Sequence, residues 1–193
     1  MPNHDLINIH AILPLSRVNG PGGRMVVFFQ GCLRGCPGCF NPETHPTGDE
    51  RLLSVEEIIG CLPEAGAEGI TVSGGEPFLQ PLGLKELLKS ARMKGLSTVV
   101  YTGFTIEEIG KDEITASLLA FIDVLIDGGY MEEEKETTLL ARGSRNQRFH
   151  FLTQRYTEAD FIMPGKAEVT IGKDGLVTGT GFSRIKFRTN NER

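Results

Sequence analysis

Three of the chain's four cysteines, Cys32, Cys36 and Cys39, fall in one short stretch with the spacing C-x3-C-x2-C. An apolar run at residues 25–29 leads into them. Gly31, Gly35, Pro37 and Gly38 fill the gaps, so the loop can fold back and aim three thiolates at one point. Three soft sulfur ligands from one loop suit an iron–sulfur cluster, whose irons are held by cysteine thiolate. A four-iron cluster usually takes four cysteines, so three would leave one iron open to a small molecule. A structural zinc site competes with this reading, with Cys61 or His45 as fourth ligand, although the second C-x2-C knuckle usual for zinc is missing. A disulfide framework fits poorly, because four cysteines in 193 residues are sparse and residues 1–10 carry no secretory signal.

A chain of 193 residues has the length of one domain with a real core, and 39% hydrophobic with 23% charged residues is the composition of a globular protein. The net charge of −5 leaves no basic excess to displace counterions, which argues against a nucleic-acid binder. No apolar run approaches the roughly 20 residues that span a bilayer. No membrane attachment is therefore expected, and the expected compartment is the reducing cytoplasm that a thiolate site needs.

Extended runs at residues 5–13, 25–30, 69–73, 97–101, 121–126 and 148–154 read as strands. A capping box of Ser54 and Glu57 opens a helix through about residue 62. A second helix spans about 82–94, with apolar residues at 84, 87, 88 and 91 and Gly95 at its end. A further capping box, Thr105 and Glu108, starts a helix that breaks at Gly110 and resumes over 113–120. Strand and helix alternate from 25 to about 126, which predicts βαβ units: an α/β fold with a mostly parallel sheet and helices outside. The acidic residues 132–136 read as a solvated face or loop. Residues 167–171 and 176–182 flank Gly172-Lys173-Asp174-Gly175, a hairpin signature. The chain thus divides into a core at 1–160 and a C-terminal extension with a β-hairpin at 161–193.

Ligands of parallel sheets collect beyond the C-terminal ends of the strands. Four unusual loops follow strands there: the cysteine loop, Gly74-Gly75-Glu76-Pro77, Thr102-Gly103 and Asp127-Gly128. The glycines of the second loop free backbone groups for a ligand and Glu76 can accept from an ammonium, unless the loop is an ordinary strand-to-helix turn. Thr102 offers a hydroxyl to a ribose or carboxylate. Asp127 binds a cation or sugar hydroxyl, or caps its own turn. Arg142, Arg145 and Arg148 grip an anion or a partner's acidic face, or stay solvated. Cys61 reads as a small buried hydrophobe.

Cys32-x3-Cys36-x2-Cys39 followed by Gly74-Gly75-Glu76-Pro77 resembles the radical S-adenosylmethionine enzymes, and within them the activating enzymes of glycyl-radical proteins. Asn19-Gly20-Pro21-Gly22, Gln30-Gly31-Cys32, Pro37-Gly38-Cys39-Phe40-Asn41 and residues 123–128 and 142–148 are similar to the type that activates anaerobic ribonucleotide reductase. The resemblance spans about residues 5–150. It implies a partial β/α barrel open along one side and a [4Fe-4S] cluster on Cys32, Cys36 and Cys39. The open iron would chelate S-adenosylmethionine through its amino and carboxylate groups. Gly74, Gly75 and Glu76 would hold the methionine end, Gly38, Cys39 and Phe40 would lie against the adenosyl part, and Thr102 and Asp127 near the ribose or carboxylate. Reductive cleavage would give a 5′-deoxyadenosyl radical, which takes a hydrogen from a glycine of a partner, the anaerobic reductase. A flavodoxin- or ferredoxin-type protein would supply the electron. Gly38 stands where many radical enzymes place an aromatic residue before the third cysteine, an arrangement the reductase activases share. Two other readings stay open: radical modification of a peptide or small molecule, and a non-catalytic iron–sulfur or zinc module.

Overall fold

The structure, a computed structural model, describes residues 6–163, 165, 167–171, 175 and 177–182. One sheet contains β1 (Leu6–Ser16), β2 (Arg24–Phe29), β3 (Leu52–Ser54), β4 (Gly69–Gly74), β5 (Ser97–Tyr101), β6 (Val124–Asp127) and β7 (Arg148–Phe151), in the order β3-β1-β2-β4-β5-β6-β7. The middle strands β2, β4, β5 and β6 run parallel, whereas β1, β3 and β7 join antiparallel at the two sides. The parallel strands lie side by side in chain order with no reversal.

Strand periodicity assigns the two faces. Met25, Val27, Phe29, Ile70, Val72, Val100 and Leu125 turn toward one core. Into the same core pack α1 (Val55–Gly60), α2 (Pro81–Met93), α3 (Ile106–Ile109) and α4 (Glu113–Leu118), through Ile58, Leu84, Leu87, Ile109 and Leu118 among others. The opposite-parity Val99, Val124 and Ile126 join a second cluster with Phe161, Met163 and the rings of Phe149 and Phe151. The helices therefore gather on one face. The other face is left to the second cluster and, at the strands' C-terminal ends, to a cavity.

The capping boxes form as expected: Ser54 with Glu57 starts α1, and Thr105 with Glu108 starts α3. Helix α1 stops at Gly60, and Cys61 packs half-buried against the helix-side core with its Sγ 3.4 Å from the Glu57 carbonyl. The run at 121–126 is not all strand. Residues Leu119–Phe121 form a 3-10 turn, and β6 begins at Val124. Asp123 stands between them, accepting from the Thr98 N–H at 2.9 Å and the Thr153 hydroxyl at 2.8 Å. Strand β7 ends at Phe151 rather than 154. Strand β3 was not expected; it exists because Leu52, Leu53 and Ser54 pair with Asn8, Ile7 and Leu6 of β1.

The C-terminal hairpin consists of β8 (Ala167–Ile171) and β9 (Val177–Gly181), with Glu168 opposite Thr180. Of the turn expected at 172–175, only Gly175 is among the described residues, and Leu176 also lies outside them.

The acidic stretch is only partly the solvated segment expected. Glu132–Glu134 form a 3-10 turn, but Glu136 is buried and accepts from Arg142 Nε at 2.6 Å and from the Thr138 N–H at 2.8 Å. Burial pushes its carboxyl up, yet these hydrogen bonds outweigh it and hold the group down to about 2. A carboxyl with a depressed folded-state pKa stabilises the fold above its unfolded value and loses that contribution as pH falls toward the folded one. Glu136→Gln is therefore expected to lower the melting temperature near neutral pH. The gap to the parent should narrow below about pH 4.5 and close near about pH 2, followed by thermal melts across that range.

Candidate active site

The cavity, of about 750 Å³, lies on the helix-free face, where Phe28, Ser73 and Tyr101 from the ends of β2, β4 and β5 form part of its wall. Cys32, Cys36 and Cys39 all border it. So do Gly74, Gly75, Glu76, Thr102 and Gly103. Three of the four loops expected to converge do so, and the fourth sends Gly128 but not Asp127.

The hydrogen-bond ladder of β2 and β4 continues past the strands into both loops. The Gly75 N–H donates to the Phe29 carbonyl and the Glu76 N–H to the Gly31 carbonyl, each at 2.9 Å. Gly31 and Cys32 are tied in turn to the carbonyls of Thr44 and His45, at 2.9 and 3.1 Å. Gly74 has φ +99°, and a Cβ there would stand 2.5 Å from the Phe29 nitrogen. A Cβ on Gly75 would overlap the Gly31 carbonyl oxygen. Both positions are glycine because two backbones touch there. Backbone groups here were expected to be free for a ligand, but the Gly75 N–H is spent on the end of β2 and the Glu76 N–H on the cysteine loop.

Glu76 is 2% exposed. Its Oε1 accepts from the Thr102 hydroxyl at 2.8 Å and the Phe78 N–H at 3.1 Å, and its Oε2 from the Gly103 N–H at 2.8 Å. Burial pushes the carboxyl up, against the opposing pull of those bonds and of the nearby Arg34 charge. Thr102 is correspondingly spent, donating to Glu76 and accepting from the Phe104 N–H at 3.1 Å. Glu76 thus clamps the loop after β4 to the loop after β5. Glu76→Ala orphans two buried N–H donors and a hydroxyl, and is expected to cost about 2–4 kcal/mol, read from the denaturant midpoint. An unchanged midpoint would show that water replaces the carboxylate.

Asp127 is fully buried and turned away from the cavity. Arg148 reaches its Oδ1 at 3.0 Å and Oδ2 at 2.6 Å, the Ile106 N–H its Oδ2 at 2.7 Å, and His150 Nε2 lies 3.0 Å from Oδ2. Burial alone would push the carboxyl up, but the Arg148, Ile106 and His150 groups outweigh it and hold it below the usual range. This aspartate positions β6, β7 and the start of α3, and it does not border the cavity. The basic segment is corrected likewise. Arg142 binds Glu136 and the Gln147 carbonyl, Arg148 binds Asp127 and Glu107, and only Arg145 is exposed without a side-chain partner among the described residues.

Phe40 borders the cavity with its ring 5.2 Å from that of Tyr130 and the Lys135 ammonium 5.4 Å from its centre. Gly38 lies in the loop but not on the cavity wall, and the Glu132 carboxylate occupies the space a Cβ would take. Arg34, between two of the cysteines, escaped the sequence reading. Its guanidinium lies 4.6 Å over the Phe104 ring, pairs with Glu108 at 3.3 Å and borders the cavity. Its position inside the motif was the available signal. Tyr130 and residues 179–182 were also missed as wall residues.

Burial pushes the Cys32 and Cys39 thiols up, and for Cys39 the neighbouring Cys36 and Cys32 add to the rise, so the three sulfurs share one electrostatic neighbourhood. Among the described residues, no three His, Cys, Asp or Glu side chains are gathered closely enough to hold a single metal ion. A cluster asks for something else, because each thiolate binds a different iron and the sulfurs surround the group rather than meet at a point. Cys61 does not border the cavity, so it is not placed to complete a tetrahedral zinc site with the loop.

Residues 18–150 match the family model of a 4Fe-4S single cluster domain. The chain is 33% identical over 156 residues to the anaerobic ribonucleoside-triphosphate reductase-activating protein of Escherichia coli (strain K12), covering 76% of this chain and 99% of that one. It is 36% identical over 150 residues to the protein of the same name from Enterobacteria phage T4, covering 74% and 92%. This chain belongs to that activating-protein family. The crystal structure of QueE from Escherichia coli is similar at 20% identity over 52% of this chain and 53% of that one, with a TM-score of 0.40, too slight to bear on the fold. As a member of the activating-protein family the chain carries a [4Fe-4S] cluster, and a cavity bordered by three thiols of one loop, with both flanking backbones fixed, fits that group. Strands β8 and β9 lie outside the span matched by the family model.

Proposed function

We propose that this protein is a radical S-adenosylmethionine activase that installs a glycyl radical on an anaerobic ribonucleotide reductase. The observation that carries this reading is that Cys32, Cys36 and Cys39 and the loops after β4 and β5 border one cavity at the C-terminal ends of the parallel strands. Those three cysteines would hold the cluster. When bound, it would supply the one electron that breaks the S–C5′ bond of S-adenosylmethionine into methionine and a 5′-deoxyadenosyl radical, which would leave as 5′-deoxyadenosine once it has taken the Cα hydrogen of a glycine.

The chain's own residues bind, orient and exclude water. Gly75 and Glu76 tie the chain after β4 to the end of β2 and to Gly31 of the cysteine loop, and Gly74, Gly75 and Glu76 would form the floor on which the methionine end rests. Phe40 supplies an apolar wall beside Cys39, suited to an adenine face. Thr102 acts through Glu76, and Gly38 gives the loop its turn beside Glu132. We read the sheet as part of a barrel, since parallel strands that follow chain order with helices on one face leave their concave side for a substrate. A flavodoxin- or ferredoxin-type electron donor would dock on the outer face of the loop, where Leu33, between Cys32 and Arg34, is 78% exposed. Among the described residues no helix is long and apolar enough to cross a membrane.

The test is anaerobic reconstitution with iron and sulfide, followed by reduction in the presence of S-adenosylmethionine and the reductase. Chromatography should find 5′-deoxyadenosine, and electron paramagnetic resonance a glycine-centred signal on the reductase. Full iron loading without cleavage would sink the proposal. Cleavage without a signal on the reductase would move the target to another peptide or a small molecule.

A further inference from the structure

Four consecutive residues, Gly179, Thr180, Gly181 and Phe182, border the cavity, whereas none of Ala167–Ile171 does. Side chains alternate across a strand. Thr180 and Phe182, two apart on β9, reach the wall residues Asn19 and Tyr101, and because Gly179 and Gly181 lie between them with no side chain, the bare backbone of β9 borders the cavity as well. Strand β8 occupies one edge of β9, with Glu168 opposite Thr180 and Val169 opposite Gly179. The other edge of this cavity-bordering strand receives no backbone hydrogen bond among the described residues.

The hairpin is held in this attitude. Glu168 accepts from the Ser16 hydroxyl at 2.6 Å and the Arg17 N–H at 3.1 Å, and Thr180 accepts from Asn19 Nδ2 at 2.9 Å. The Phe182 ring lies 6.0 Å from that of Tyr101. Two glycines in a five-residue strand weaken it and pack nothing, but they admit another backbone at close range.

We infer that the free edge of β9 is a docking edge for an extended segment of the partner polypeptide, which adds to it as a strand and so enters the cavity that holds the cysteine loop. The inference rests on the activase reading, whose substrate is itself backbone, a glycine Cα. A small molecule would be gripped by side chains converging from the wall. An unpaired strand edge offers only a row of alternating donors and acceptors, and its complement is another chain.

Hydrogen–deuterium exchange on the full-length, cluster-loaded protein tests this, with and without the reductase, under argon. In the free protein the amides of residues 177–181 that face the cavity should exchange quickly. On forming the complex they should slow by at least about tenfold, while the β8-facing amides change little. A complex that forms and yields the glycine-centred signal with no change at 177–181 overturns the inference and leaves the activase reading standing. Absence of both complex and signal removes the activase reading and the inference with it. Protection that appears without the reductase and grows with protein concentration overturns the inference in favour of a second copy of this chain.

Discussion

Cys32→Ser, Cys36→Ser and Cys39→Ser are each expected to bring reductive cleavage of S-adenosylmethionine down to background. The three residues are the only cysteines on the cavity wall, so no fourth thiol stands ready to replace a lost one. Serine keeps the loop's size but not the soft donor that iron–sulfur clusters require. Iron and sulfide per chain should fall together with cleavage, and the folded protein should keep its melting temperature before reconstitution, because a serine hydroxyl can take over the backbone hydrogen bonds that the sulfurs accept, such as that from the Asn41 N–H to Cys39 at 3.4 Å. Cys61→Ala is the control. Its sulfur packs against the helix-side core and its loss should leave cluster content and cleavage unchanged, at a cost in stability of about 1 kcal/mol. Equal loss of cluster in Cys61→Ala would reassign the ligands.

Arg24→Met is expected to have the largest effect on stability away from the cavity. Arg24 is fully buried at the start of β2, and among the described residues none of its hydrogen-bond partners is a carboxylate. All of its guanidinium nitrogens find neutral acceptors. Nε donates to the Thr71 hydroxyl at 2.8 Å, Nη1 to the Pro21 carbonyl at 3.1 Å and the Ser97 hydroxyl at 2.9 Å, and Nη2 to the carbonyls of Ile70 at 2.6 Å and Ser97 at 3.2 Å. Burial pulls its pKa down, but a guanidinium remains charged. Methionine spares the desolvation of that charge, which is a real gain. It also leaves buried carbonyls and hydroxyls on the Asn19–Gly23 turn, β4 and β5 without their shared donor, at about 1–3 kcal/mol for each that water cannot reach. The second effect should win, with a net loss of about 3 kcal/mol and a fall in melting temperature of about 10 °C. A midpoint equal to the parent's would mean that the cost of burying the charge cancels its bonds.

What could be read in the sequence was local. Ser54 with Glu57 and Thr105 with Glu108 fix their helix starts through partners three residues away, and both formed. The strands β2, β4 and β5 are short apolar runs bounded by glycine, and they fall within a residue of where they were placed. The cysteine loop and its convergence with the loops after β4 and β5 followed from the βαβ pattern alone. What could not be read depends on residues far apart in sequence. Glu76 was read as an acceptor for an ammonium and Thr102 as a hydroxyl for a ribose or carboxylate, but they are 26 positions apart and bind each other. Asp127 meets Arg148 across 21 positions. Arg24 looked like any charge at a strand end, since nothing near it announces burial. Strand β3 has three residues, and only pairing with β1 makes it a strand. The run from Phe121 to Ile126 carries no period that separates a closing 3-10 turn from the strand after it.

The β2–β4 ladder runs on without a break into the two loops, so Gly75 and Glu76 meet Phe29 and Gly31 in the register that the strands already hold. The floor of the cavity is thereby built from the same backbone bonds as the sheet. A slip in the pairing of β2 with β4 would carry the cysteine loop out of alignment with it.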